Sequence, residues 1–221
     1  LNNGGALITN TVVVTVQEPA TDAWVVRTPG STEKAVNNQF YARDDTGYGT
    51  IYYNGTGAGS PDHVFLKVFT NGPTGDVIYT NLSQVPSGGA YAFSVRIPSG
   101  LVKYSVQCGS VNGMTTNSLG TATNLVCGDA YIIQGQSNAV ADNQNNAAFT
   151  YYTNQWIRSY GDIGGVVGTG WGYAVHSSAS GNACRIGYWG MILASNLVAT
   201  LNLPICIING AVGGTRIDQH Q

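Results

Sequence analysis

The chain has 221 residues, enough for one large domain or two small ones. Charged residues make up only 9%, against a typical ~25%, and the net charge is −2, which leaves no basic footprint for nucleic acid and no polybasic membrane patch. No apolar run approaches the ~20 residues that span a bilayer, and an apolar fraction of 43% with 13 Tyr excludes a disordered chain.

Residues 1–124 read as an all-β domain. Strands are expected at 11–17 and 23–27, then at 49–53, 63–69, 77–79, 90–97 and 101–107, with Gly, Pro, Asn and Asp between them. That spacing suggests a β-sandwich. Tyr91, Phe93, Val95 and Ile97 alternate with smaller or polar residues, so one face of their strand belongs to a core. A tight turn at 98–100 joins the last two strands. Trp24, Tyr52, Tyr53 and Tyr91 are able to stack on sugar rings, although strand aromatics more often face the core. Residues 109–120 read as a loop or hairpin, and 121–127 as a strand leading into the second half.

Residues 125–221 read as the first half of an α/β domain. Ala130-Tyr-Ile-Ile is a continuous apolar run bounded by turn residues, as in a central parallel strand. Gly135 permits a sharp turn after it. Ser137 then stands just past the carboxyl end of a buried strand, where open α/β sheets bind ligands. Ser137-Asn138 reads either as the cap of a strand-to-helix junction or as a nucleophile and its neighbour. Residues 139–146 are polar loop, and 156–160 form a second short strand. The stretch 161–172 contains six Gly and is expected to be a mobile loop or lid. Residues 188–202 give the clearest helix, with Trp189, Ile192, Leu193, Leu197, Val198 and Leu201 on one apolar stripe. A third buried strand follows at 205–208, and 209–215 turns off its carboxyl end. Strand, loop, strand, helix, strand is the opening of a doubly wound sheet.

The low charge suits an extracellular, β-rich protein, secreted or periplasmic. The chain opens on Leu1, so a leader is expected to have been removed or to lie outside this sequence. Four Cys allow three pairings; Cys108–Cys127 and Cys184–Cys206 each link neighbouring elements. Each would close a loop of about twenty residues, worth roughly 3 kcal/mol in the chain-entropy model. The alternative is four buried thiols. No Cys-x-x-Cys pair exists and the His residues are scattered, so no metal site is expected. Asn54-Gly-Thr56 and Asn81-Leu-Ser83 fit the glycosylation sequon, which arises often by chance in such a composition.

Gly128-Asp-Ala-Tyr-Ile-Ile-Gln-Gly-Gln-Ser-Asn-Ala139 resembles the first block of the SGNH hydrolases, most of all the sialate O-acetylesterase and acetylxylan esterase branch with its Gly-Gln-Ser-Asn. Asn209-Gly-Ala-Val-Gly-Gly-Thr-Arg-Ile217 resembles the Gly-Gly-Thr-x-Ile segment of the same branch, in the same order along the chain. The resemblance implies a flavodoxin-like, three-layer α/β domain, preceded by a β-sandwich that often serves as scaffold. It implies a secreted carbohydrate O-acetylesterase that works through an acyl-enzyme on Ser137, with no cofactor. Sialic acid and plant or microbial polysaccharide are the substrates it suggests.

A serine nucleophile needs oxyanion donors and a base. The Ser137 N–H is one donor. Gly213 and Gly214 are expected to supply another, with Gly190 behind them, because no side chain blocks a carbonyl oxygen from approaching. Gln136, Asn138 and Thr215 are expected to touch substrate. The base is missing. The family resembled supplies an Asp-x-x-His and a third oxyanion donor from blocks beyond the Gly-Gly-Thr segment. Here Asp218-Gln-His220 has the wrong spacing, His63 belongs to the β half, and His176 lies in a Gly/Ser-rich loop. The catalytic His and Asp are therefore expected from a C-terminal continuation or a second chain, without which this stretch would be inactive. The competing reading is a surface, filament or carbohydrate-binding structural protein with a degenerate esterase half.

Overall fold

The computed structural model describes residues 28–57, 59–71, 77–141, 154–163, 166–176 and 184–219. The strands expected at 11–17 and 23–27, with Trp24, lie outside the described residues. In chain order the elements are β1 (Phe40–Ala42), β2 (Tyr48–Thr56), β3 (His63–Thr70), β4 (Ile78–Gln84), β5 (Ala90–Pro98), β6 (Tyr104–Asn112) and β7 (Thr115–Ile133). The short helix α1 (Ser137–Val140) follows, then β8 (Ile157–Ile163), β9 (Val166–Tyr173), α2 (Tyr188–Leu201) and β10 (Ile205–Asn209). A large mixed sheet runs β4-β3-β6-β7-β10-β8-β9, with β1 added against β7; β2 and β5 make a separate antiparallel ribbon.

The ribbon packs on the antiparallel part of the large sheet. Tyr91, Phe93, Val95 and Ile97 turn inward and the residues between them outward, as their alternation predicts. They share a core with Ile51 and Tyr53 of β2, Leu66 of β3, Tyr104 of β6 and Leu125 of β7. Tyr53 and Tyr91 are thus core residues, not sugar platforms. Asn54 is also buried, its Nδ2 donating to the Gly30 carbonyl at 2.9 Å, so the first sequon is occupied by packing. The turn at 98–100 is not a hairpin: β5 pairs with β2, while β6 pairs with β3 and β7, so the connection crosses between layers. Residues 109–120 do form a hairpin, between β6 and β7.

β7 belongs to both halves of the chain. Up to residue 125 it pairs antiparallel with β6, over 126–128 parallel with β1, and over 129–133 parallel with β10. It passes without a break through Asn124, which takes a φ of 63°. Arg43, just after β1, clasps Asp129 of β7 through both carboxylate oxygens and donates its N–H to the Gly128 carbonyl at 2.9 Å. This partly exposed ion pair contributes less than about 1 kcal/mol, but it fixes the strand just ahead of the turn.

β10 lies between β7 and β8, parallel to both. Ile207 stands beside Tyr131 and Ile208 beside Ile132, so the segments expected to be adjacent parallel strands are. The glycine-rich stretch expected as a lid is largely an antiparallel hairpin, β8–β9, pairing Tyr160 with Trp171 and Gly161 with Gly170. A strand ladder uses only main-chain groups, so glycines are able to take part in it.

α2 covers one face of the parallel strands, over Ile133, Ile157, Ile205 and Ile207. Its boundaries match the expected helix, and Leu197 and Val198 of the expected stripe pack on the sheet, but the rest of that stripe does not. Gly190, Met191, Ala194 and Val198 point inward, while Trp189, Ile192, Leu193 and Leu201 are exposed. Gly190 is packed tightly here: a Cβ on it would stand 3.1 Å from Cδ1 of Ile133. Gly190 is accordingly a packing residue and not part of an oxyanion site. On the other face Ile132, 77% exposed, stands beside Ile208, so the described residues form two layers here and not three.

None of the four cysteines is disulfide-bonded, and all four are buried. The β6–β7 register puts Cys108 opposite Gly120. Cys127 is then roughly 20 Å further along β7 at ~3.3 Å per residue, far beyond the ~4.4–6.8 Å between the Cα atoms of a disulfide. Cys184 and Cys206 are likewise unbonded. Burial pushes the thiols of Cys108 and Cys127 up to about 11 and that of Cys206 to about 12, with Cys184 adding to the last shift.

Candidate active site

The carboxyl ends of β7 and β10 lie side by side, and each strand turns away at once. After Ile133 the chain passes Gln134 and Gly135. Gly135 has a φ of 153°, and a Cβ there would meet Ala139 Cβ at 2.9 Å, so glycine is required. The turn enters α1 at Ser137. After Asn209 the second turn is sewn to the first: Gly210 N–H donates to the Ile133 carbonyl at 2.9 Å and Val212 N–H to the Gly135 carbonyl at 3.0 Å. These bonds hold the two strand ends at a fixed separation.

Between the turns lies an open cavity of about 650 Å³, lined by Ser137, Asn138, Val140, Ala141, Arg185, Ala211, Val212 and Gly213. The volume is in the range of small-molecule sites. Ser137, Asn138 and Gly213 of the expected set therefore meet in one place. A Cβ on Gly213 would touch nothing within 4 Å, so its main chain is open to an approaching group. Gly214 is equally open but does not line the cavity, and Thr215 turns back to donate its hydroxyl to the Val212 carbonyl at 2.6 Å.

Ser137 itself is exposed and engaged. Its hydroxyl donates to Oε1 of Gln136 at 2.6 Å, and its main-chain N–H donates to the same oxygen at 3.0 Å. Gln136 is the N-cap of α1, in an extended conformation. An amide oxygen is far too weak a base to take a serine proton, so this contact holds the hydroxyl without activating it. It also occupies the N–H expected to serve an oxyanion.

Neither described histidine lines the cavity. His63 pairs with Val111 in the β3–β6 ladder. His176 is 4% exposed, its ring 4.5 Å from that of Tyr188 at the start of α2. His220 lies outside the described residues.

Arg185 was not anticipated. It sits on a bridge with Val175 just before α2, and it brings a positive charge to the cavity wall. The available signal was its isolation: it is the one cation between Arg158 and Arg216 in a chain with little charge.

No family model matches the chain, and no curated protein does. Among solved structures the chain is similar to a carbohydrate acetylesterase from Xanthomonas citri, at 19% identity and a TM-score of 0.47. That similarity covers 82% of this chain and 40% of that one, so the chain spans well under half the length of that structure.

Proposed function

We propose that the chain carries the nucleophile of a serine esterase that removes O-acetyl groups from carbohydrate. The reading rests above all on Ser137: an exposed serine, past the end of one parallel strand, sharing a cavity with Gly213 past the end of the next. Val140, Ala141, Ala211 and Val212 offer an apolar wall for an acyl methyl group, and Asn138 and Arg185 offer donors to sugar oxygens. The sequence block around Ser137 supports the acetyl and carbohydrate parts of the reading.

In the proposed reaction Ser137 Oγ attacks the ester carbonyl as a base removes its proton. The oxyanion is held by the N–H groups of Ser137 and Gly213, once Gln136 has turned aside. The sugar hydroxyl leaves with a proton from the same base, and water then hydrolyses the acyl-enzyme. The base is a His oriented by an Asp from a C-terminal continuation or a second chain. The cavity supports this part, since neither His63 nor His176 lines it. Ser137→Ala in the whole protein is expected to abolish acetate release from acetylated polysaccharide; undiminished release would defeat the proposal.

A non-catalytic scaffold is the second reading, favoured by the bond that already satisfies the Ser137 hydroxyl. Fluorophosphonate labelling separates the two, because only an activated serine reacts.

A further inference from the structure

The carboxamide of Asn209 ties together three segments of the cavity wall. Its Nδ2 donates to the Ala139 carbonyl at 3.0 Å and to the Ile186 carbonyl at 3.1 Å, and its Oδ1 accepts from the Ala211 N–H at 3.0 Å. Ala139 lies two residues after Ser137, Ile186 follows Arg185, and Ala211 leads into Val212 and Gly213. Both amide hydrogens and the oxygen are used, on partners from three different parts of the chain.

The Ser137 turn is braced in two other ways, by the Val212 N–H on the Gly135 carbonyl and by contacts from α2. Tyr188 N–H donates to the Ala141 carbonyl at 3.0 Å, and Trp189 Nε1 to the Asn138 carbonyl at 3.4 Å. Gly187 makes room for this, since a Cβ on it would stand 2.5 Å from the Val140 carbonyl oxygen. Those contacts hold α1 to α2, but they do not reach the turn after β10. Asn209 is the side chain that joins the serine turn to the glycine turn.

We propose that Asn209 is a positioning residue that, together with the Val212–Gly135 main-chain bond, sets the distance between Ser137 and the Gly213 main chain. The assignment rests on the esterase reading for its consequence in rate, and on the three hydrogen bonds for its geometry. The residue type follows from the bonding: two donors on one atom and an acceptor on its neighbour are what a carboxamide offers. Asp of the same shape keeps the acceptor, loses both donors, and sets a negative charge against two carbonyl oxygens. A misplacement of about 1 Å in such a site costs on the order of 100-fold in rate.

The test, made in the whole protein with its catalytic His and Asp, compares Asn209→Asp with Val198→Ala, a buried substitution on α2 outside the cavity, using 4-nitrophenyl acetate and fluorophosphonate labelling of Ser137. Asn209→Asp is expected to lower kcat about 100-fold with KM little changed, and to slow labelling far more than Val198→Ala does. Amide hydrogen exchange at Ala139 and Val212, whose N–H groups bond to the Gln136 and Gly135 carbonyls of the serine turn, should quicken in Asn209→Asp alone. Labelling and exchange equal to those of the parent protein would overturn the assignment. So would a loss matched by Val198→Ala, or failure of Asn209→Asp to fold, because either makes Asn209 a general stabilising residue. Ser137→Ala, assayed in parallel, keeps the questions apart. If it retains activity the esterase reading falls, while the exchange rates still decide whether Asn209 couples the turns.

Discussion

One oxygen of Gln136 holds both groups of Ser137 that acyl transfer would use: the hydroxyl at 2.6 Å and the main-chain N–H at 3.0 Å. A substrate carbonyl oxygen would need much the same position. Gln136 must therefore rotate away before Ser137 is able to react. The net value of such hydrogen bonds is about 1 kcal/mol, which corresponds to roughly a fivefold change in the open population. Gln136→Ala is expected to speed fluorophosphonate labelling of Ser137 by about that factor. Labelling that is unchanged or slower would mean that Gln136 assists the serine and does not restrain it.

Gly128 marks the tightest approach in the parallel sheet. A Cβ there would stand 1.8 Å from the Pro204 carbonyl oxygen, the atom that accepts from the Asp129 N–H at 3.1 Å. Backbone cannot move aside as a side chain does, so Gly128→Ala must part β7 from β10. A loss of about 3 kcal/mol is expected, near the top of the range for overpacking. Urea unfolding measures it, and a loss below about 1 kcal/mol would contradict the packing at this position.

The cysteines give a chemical check on the core. All four are buried and unbonded, and burial raises the thiols of Cys108, Cys127 and Cys206 well above their usual range. Native protein is expected to react with almost no Ellman reagent at pH 8. Unfolded in guanidinium without reductant, it should titrate four thiols. A count of two would reveal a disulfide.

Asp44 carries a pH dependence of known sign. Its Oδ1 accepts from the Tyr48 N–H at 3.0 Å and from the Thr46 hydroxyl at 2.7 Å, and these bonds, with the Arg96 guanidinium, hold the carboxyl down at about 2 from the usual 3.8. The folded state thus favours the charged form. Its contribution is present in full above about pH 4 and is lost as the pH falls through about 2. Asp44→Asn should flatten the urea midpoint against pH between 2 and 4. Parallel curves for the two proteins would remove Asp44 from the acid transition.

The strands were legible where one face is buried and the other is not, as in β5, where alternation alone names Tyr91, Phe93, Val95 and Ile97 as core. The helix was legible in extent but not in rotation. Its apolar stripe predicted Leu197 and Val198 on the sheet, but Gly190, Met191 and Ala194 share that face while Trp189, Ile192, Leu193 and Leu201 are exposed, a rotation that apolar periodicity alone does not show. The β8–β9 hairpin was hidden by its glycines, which read as loop although Gly161, Gly170 and Gly172 pair in the ladder. At the candidate site, the meeting of Ser137 and Gly213 in one cavity was expected from two strand-to-turn junctions and from the resemblance of the blocks around them. Asn209 and Arg185 were not assigned roles, because the Ala139 and Ile186 carbonyls that Asn209 holds and the cavity that Arg185 lines come together only on folding.

β7 has a consequence for recombination. Because one uninterrupted strand closes the β6 hairpin and then delivers Ser137, the front half of this chain is not a cartridge to be exchanged at residue 124. A replacement would have to end in a strand of the same phase. A slip of a single residue would send Ile133 to the solvent side and bring Ile132 under α2, turning the serine turn away from its glycine partner.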